Sequence, residues 1–134
     1  MESLDRERLA LRLERLLADE GKTLSVLLEI NVGNEESKSG VALDDAAGLL
    51  EAALRCPHLA VRGLMAVPPF DADPEASRPH FRRLVDLREH LQQELGQPLP
   101  ELSIGMSHDF EVAVEEGATE VRIGTGLFGA REAA

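Results

Sequence analysis

The feature that most constrains the fold is an alternation of amphipathic helical segments with short apolar runs that end at glycine or proline. The first segment, residues 4–20, is closed by Gly21, and its leucines recur at helical spacing, at Leu9, Leu13, Leu16 and Leu17. Four strand-like runs follow, each preceded by a helical segment, at residues 24–33, 59–67, 101–107 and 119–124. Strands that alternate with helices in this way form βαβ units around a parallel sheet, so the sequence predicts an α/β fold.

The predicted strands have one apolar side and one small, polar side, because alternate residues of a strand face opposite ways. The polar side carries Glu29, Asn31, Ser103, Gly105, Ser107, Arg122 and Gly124. A parallel sheet covered by helices on both faces would be apolar on both sides. A polar side that becomes smaller toward the carboxyl ends is typical of a β/α-barrel with room for a polar ligand. We therefore expect a partial (β/α)₈ TIM-type barrel with four clear βα units and parallel strands.

The stretch "VRIGTG" near the end of the chain indicates an anion site. Arg122 on the inward side would be a costly buried cation unless a ligand or a carboxylate pairs with it. Gly124 lets a backbone N–H approach an anion without a Cβ in the way, and Ser107 and Thr125 offer hydroxyls and free amides. In (β/α)₈ barrels a phosphate site commonly follows the last two strands, beside a short extra helix that "LFGARE" could form. The alternative is a salt bridge between Arg122 and Glu29 or Glu120.

Composition narrows the classes of partner. The 134 residues include 25 acidic and 14 basic side chains, a net charge of −11, which disfavours nucleic acid and anionic membranes. No apolar run approaches the roughly 20 residues of a membrane span. A single cysteine, Cys56, excludes an internal disulfide and fits a cytoplasmic location; we expect it to be buried packing rather than a reactive thiol. The four histidines lack metal-ligand spacing.

Three longer stretches carry a family resemblance: "INVGNEESKSGV", "RGLMAVPP" and "LSIGMSHDFEVAVEEGATEVRIGTGLFGAR". They resemble the pyridoxal phosphate homeostasis protein family, whose members share the barrel of the alanine racemase N-terminal domain. The resemblance extends over about residues 3–131 and implies that the cofactor is pyridoxal 5′-phosphate (PLP). It also implies a role in intracellular PLP homeostasis, through binding and handling the cofactor rather than through robust turnover.

The resemblance assigns a role to each matching residue. Ser107 would give its hydroxyl to the cofactor phosphate, and the backbone amides of Gly124 and Thr125 would complete the cradle. Arg122 would face the pyridine nitrogen and keep it unprotonated, which weakens the ring as an electron sink. Met65 and Asn31 would line the pocket wall beside the ring. Asp109 is interpreted as a structural carboxylate in the first turn of a helix.

The chain departs from the family in one functional respect. The family holds its cofactor as a Schiff base on a lysine of the first barrel strand, and these residues contain no counterpart of that region. The two lysines are Lys22, expected at the wrong end of the barrel, and Lys38, expected on a loop at the ligand end. Residues 1–134 are therefore expected to be the C-terminal part of the barrel, either from a truncated or mis-started gene product or from a short protein that pairs with another chain. Exposed barrel edges would then favour self-association.

Two other classes of function stay open at the level of the sequence. A barrel lyase or isomerase that acts on a phosphorylated small molecule would use the same anion cradle. It would also need an inward acid–base pair, for which Glu29 is the one inward carboxylate identified. A non-catalytic interaction fragment would bind no ligand.

Overall fold

The computed structural model describes residues 1–35 and 39–124. Within these residues the α-helices are α1 (Glu7–Glu20), α2 (Ala46–Leu54), α3 (Arg78–Leu95) and α4 (Phe110–Glu115). The strands of the same part of the chain are β1 (Leu24–Asn31), β2 (Val41–Ala42), β3 (Leu59–Met65), β4 (Glu101–Met106) and β5 (Glu120–Arg122). Short 3₁₀ helices at Leu43–Asp45 and Pro74–Ser77 precede α2 and α3. The predicted helices and strands are present in the predicted order, and the two-residue β2 is an addition.

The strands form one parallel sheet in the order β2-β1-β3-β4-β5. Apart from β2, each strand pairs with the next strand along the chain. This sequential order is that of a β/α-barrel, whereas a doubly wound sheet reverses its order at a switch point.

The sheet is strongly curled, as the first residues of the chain demonstrate. Leu4 bridges Leu28 in the edge of β1 that lies away from β3, so the segment before α1 extends the sheet on that side. Nevertheless the Ser103 hydroxyl on β4 donates to Glu2 Oε1 at 2.6 Å. Since β1 and β3 lie between these two residues, they meet only across the concave face of a curved sheet. The described residues therefore form part of a barrel wall.

The convex face of the sheet packs under the helices, as its apolar side predicts. The buried core includes Val26, Leu28, Ile30, Leu102 and Ile104 from the strands and Phe81, Leu84 and Leu91 from α3. Each such side chain contributes about 1.5–3 kcal/mol when it leaves water. Leu16 differs from expectation, because this member of the leucine pattern of α1 is 56% exposed. Met106, at the end of β4, is 40% exposed. None of the helices in the described part of the chain is long and apolar enough to span a membrane.

Candidate functional site

Arg122 ends β5, and its guanidinium extends across β4 to the end of β3. One Nη donates to the Ala66 carbonyl oxygen at 2.9 Å, and the side chain is only partly buried. Among residues 1–35 and 39–124 no carboxylate lies within salt-bridge distance of the guanidinium, so the alternative salt bridge with Glu29 or Glu120 is not made. The positive charge of Arg122 acts on Glu120 only from a distance, where it partly offsets the raised pKa of that carboxyl. Glu29 instead accepts a hydrogen bond from the Ser39 hydroxyl at 2.6 Å. Several N–H groups of Arg122 therefore stay available to an acceptor on the concave face.

Met65 and Asn31 stand at the carboxyl ends of their strands, where barrel sites form. Met65 is buried and directly precedes Ala66, whose carbonyl accepts the Arg122 hydrogen bond, so the Arg122 guanidinium lies at the end of β3 that Met65 forms. The Asn31 amide is engaged locally, because it donates to the Glu35 carbonyl at 2.6 Å and accepts from the Glu35 N–H at 3.2 Å. Asn31 thus folds the turn after β1.

Ser107 follows β4 directly and is half-buried in a turn that Asp109 secures. Asp109 is at the N-cap position of α4, but its side chain makes no hydrogen bond to its own helix. One carboxylate oxygen accepts the Met106 N–H at 2.8 Å, and the other accepts the Ser77 hydroxyl at 2.7 Å. Asp109 is therefore structural, as interpreted from the sequence, but it binds the preceding strand and a distant loop rather than its own first turn.

Of the remaining cradle residues and the two lysines, the structure describes Gly124 and Lys22. Gly124 is exposed, and a Cβ placed there would meet no described atom within 4 Å. Thr125, the "LFGARE" stretch and Lys38 lie outside the described residues. Lys22 precedes β1 and lies 3.4 Å from Glu20, at the amino end of the strands as expected. Lys22 therefore lies at the end of the sheet opposite to the candidate site.

The cavity beside Ser107 does not suit a phosphate. It measures about 310 Å³ and is lined partly by Glu75, Asp109, Glu111 and Glu115. Four carboxyl groups would repel a phosphate dianion. Neither Arg122 nor Met65 borders this cavity, so it is not a space that Ser107 shares with those two residues.

More carboxylates point inward than Glu29, which corrects the sequence interpretation. A cavity of about 180 Å³ on the concave side is lined by Glu2, Glu101, Glu120 and Arg62. Burial, and then the charge and hydrogen bond of Glu2, raise the pKa of Glu120. This group lies at the amino ends of the strands, whereas sites in β/α-barrels form at the carboxyl ends. Within the described residues, no three histidine, cysteine or acidic side chains are placed to hold a metal ion.

Comparison with known proteins assigns the family. The family model for the alanine racemase N-terminal domain matches residues 2–132. The chain therefore belongs to the alanine racemase N-terminal domain family, and its curled parallel sheet is part of that family's TIM-type barrel. The resemblance and the fold class predicted from the sequence are both confirmed.

Individual relatives are close. The pyridoxal phosphate homeostasis protein of Aquifex aeolicus (strain VF5) is 51% identical over 130 residues, which are 97% of this chain and 57% of that protein. PipY of Synechococcus elongatus PCC7942, solved with PLP bound, superposes with a TM-score of 0.85 at 32% identity and covers 96% of this chain and 59% of its own. An unknown protein from Bifidobacterium adolescentis superposes with a TM-score of 0.87 at 35% identity, over 95% of this chain and 51% of its own. The chain spans about half to three fifths of each relative's length.

Sequence reasoning missed two partners of the site residues. The acceptor for Arg122 is the backbone carbonyl of residue 66, which no side-chain pattern encodes. The partner of Asp109 is Ser77, 32 positions earlier in the chain. The one available signal was the length of the loop between β3 and α3, which favours a functional loop but does not select Ser77.

Proposed function

We propose that the chain binds pyridoxal 5′-phosphate at the carboxyl ends of its strands and takes part in PLP homeostasis. The observation that supports this most is the Arg122 guanidinium, which faces the concave side beside Met65 without a carboxylate partner among the described residues. A buried or half-buried arginine without a counter-charge is stabilised by a ligand that accepts its N–H groups.

The residues present fit PLP through their donors. An arginine only donates hydrogen bonds, so it matches an unprotonated pyridine nitrogen, which only accepts. Ser107 supplies a hydroxyl donor for the phosphate, and the open space at Gly124 leaves its backbone N–H accessible to an oxygen. Thr125 would complete the cradle with its amide. Bound PLP would supply an aldehyde and a conjugated ring that accepts electrons, and an arginine at the ring nitrogen weakens that second property.

The roles of Arg122 and Ser107 are separable because pyridoxal has the ring of PLP without the phosphate. Dissociation constants for PLP and pyridoxal would be measured with the wild-type chain and with Ser107→Ala and Arg122→Ala. A hydrogen bond to a charged group contributes about 1.5–3 kcal/mol, so Ser107→Ala should weaken PLP about tenfold or more and leave pyridoxal unchanged. Arg122→Ala should weaken both ligands.

Matched controls exist at the other end of the sheet. Arg62→Ala removes a second arginine that borders the concave side but pairs with Glu101, and Ser25→Ala removes an exposed serine of β1. Neither variant should change the affinity for either ligand. Equal affinity of the wild-type chain for PLP and pyridoxal would refute a phosphate site, and loss of affinity in Arg62→Ala would point to non-specific charge effects.

A further inference from the structure

The turn that carries Ser107 is held by a buried carboxylate whose partners come from two different segments. Asp109 is 3% exposed and Ser77 is 1% exposed. The Asp109 carboxylate accepts the N–H of Met106, the last residue of β4, and the hydroxyl of Ser77, the last residue of the 3₁₀ helix before α3. The three-residue interval from Met106 to Asp109 contains Ser107, so these bonds close the turn around it.

Overall stability alone is a poor reason for this arrangement. Removing a carboxylate from water is costly, and well-packed apolar side chains in place of buried charges are often equally stable or more so. Ion pairs already join α3 to the C-terminal end of α4, with Arg78 to Glu115 at 2.8 Å and Arg82 to Glu116 at 2.6 Å, though pairs with one solvent-exposed partner contribute little. The Asp109 carboxylate instead fixes the conformation of the turn, because each of its two oxygens accepts a short hydrogen bond from a different segment.

The same contact joins the turn to the long loop after β3. That loop leads into the 3₁₀ helix with Ser77, and its Phe70 ring packs on His108, with 4.9 Å between ring centroids. His108 Nε2 also approaches Asp109 Oδ2 at 3.4 Å. The two residues that follow Ser107 in the turn, His108 and Asp109, thus both contact the segment between β3 and α3.

We propose that Asp109 is the positioning residue for the phosphate contact of Ser107, with Ser77 as its partner from the β3–α3 loop. This inference rests on the proposed function, because it concerns how the Ser107 hydroxyl is aimed at the phosphate of PLP. Asp109 does not touch the ligand; it sets the direction in which the neighbouring hydroxyl donates. Its loss should therefore act on phosphate recognition and leave recognition of the ring intact.

The experiment measures the ratio of PLP affinity to pyridoxal affinity in a set of variants. Asp109→Ala should lower the ratio as far as Ser107→Ala does, about tenfold or more. Asp109→Asn should retain most of the ratio, since the amide oxygen still accepts the Met106 N–H and the amide nitrogen can donate to Ser77. Ser77→Ala removes one of the two bonds and should lower the ratio by a smaller factor. Glu89→Gln, which removes one carboxylate from the exposed face of α3, is the control and should leave the ratio unchanged.

A purely structural role would not produce this pattern. The double variant Asp109→Ala with Ser107→Ala should bind no worse than either single variant, because two residues that act through one contact are not additive. Independent, multiplying effects would overturn the inference, as would an unchanged ratio in folded Asp109→Ala and Ser77→Ala chains. If Asp109→Ala fails to fold, Ser77→Ala and Asp109→Asn decide the question. Equal affinity of the wild-type chain for both ligands would instead refute the proposed function, and this role with it.

Discussion

The chemical behaviour of single residues in this chain depends on the groups that surround their side chains. Cys56 is buried, and its thiol donates to the Ala52 carbonyl at 3.5 Å. Burial, and then the negative charge of Glu14, raise the pKa of the thiol. The thiolate, which is the reactive form, is thereby disfavoured in the folded chain. This supports the interpretation of Cys56 as core packing.

We expect the Cys56 thiol to react slowly with a thiol-specific reagent at about pH 8 in the folded chain and rapidly in urea. The physical reason is the combined loss of access and of thiolate, both restored by unfolding. The measurement is a stopped-flow reaction with a chromogenic disulfide. Equal rates in the two conditions would show that Cys56 is exposed in the native state.

Gly105 in β4 is required by a close approach. Its φ is +100°, and a Cβ there would lie 2.7 Å from the Cβ of Ala113 on α4. Gly105→Ala should therefore destabilise the chain by about 2 kcal/mol through backbone strain and overpacking. Gly48→Ala is the control, because nothing lies within 4 Å of that position on α2. The control should stabilise the helix slightly. Similar urea midpoints for the two variants would contradict this packing.

The helices and strands of this fold follow from local sequence patterns, whereas the residues that each of them contacts do not. The order of helices and strands follows from the spacing of apolar residues and from the glycines and prolines that end each run. Leu16 was assigned to the buried stripe of α1 because it continues the leucine pattern, yet the helix buries Ala10 and turns Leu16 outward. The short β2 has too few residues for any pattern. The contact of Glu2 with Ser103 spans 101 positions and arises only from sheet curvature.

The candidate site was predictable to a similar degree. Alternation along the strands predicts Arg122 on the inward side, and the strand ends predict Ser107 and Gly124 at one edge. Met65 is implied only by the family resemblance. Which hydrogen bonds these side chains make depends on the tertiary structure. Asn31 folds its own turn, and the Arg122 guanidinium crosses a strand to a backbone carbonyl. Such bonds to backbone atoms leave no mark in the sequence.

The segment before α1 behaves as an extra strand, and one leucine secures it. Leu4 is fully buried and exchanges backbone hydrogen bonds with β1, through Leu27 at 3.2 Å and Glu29 at 2.8 Å. Leu4→Ala should cost about 3 kcal/mol of unfolding free energy from lost burial and a residual cavity. Chemical denaturation measures this, with Leu11→Ala on the exposed face of α1 as the control. A cost below that of the control would mean that the segment is not docked.

At the scale of the whole molecule, the stability of the fold depends on pH through the carboxylates of the concave face. The folded pKa of Glu120 is raised, so the folded chain binds this proton more tightly than the unfolded chain. The stability that the protonated Glu120 carboxyl contributes is therefore fully present below the ordinary pKa of glutamate. It is lost as the pH rises through the raised pKa of the folded chain. At neutral pH the charged carboxylate opposes folding.

Glu120→Gln should accordingly raise the urea midpoint at pH 7 and change it little at about pH 3, where the carboxyl is protonated in both states. Glu89→Gln, an exposed residue of α3, is the control for removing one negative charge from a chain of net charge −11. A gain at pH 7 no larger than that of the control would contradict the coupling of Glu120 to Glu2.

The edges of the sheet bear on assembly. Among the described residues the sheet ends at β5 on one side and at β2 and the segment with Leu4 on the other. Unpaired strand edges are sites for pairing with another chain. We expect the isolated 134-residue chain to self-associate in a concentration-dependent manner. Sedimentation velocity tests this, and a single sharp monomer boundary at every concentration would refute it.

The measurement that tests the central proposal most directly is a visible absorbance titration of the wild-type chain with PLP, followed by borohydride reduction and peptide mass mapping. We expect a saturable absorbance change and no specific adduct on Lys22 or Lys38, because Arg122 and Ser107 hold the cofactor without a covalent anchor. Saturation that disappears in Arg122→Ala would confirm the site. Absence of any saturable change, or a stoichiometric adduct on Lys38, would contradict it.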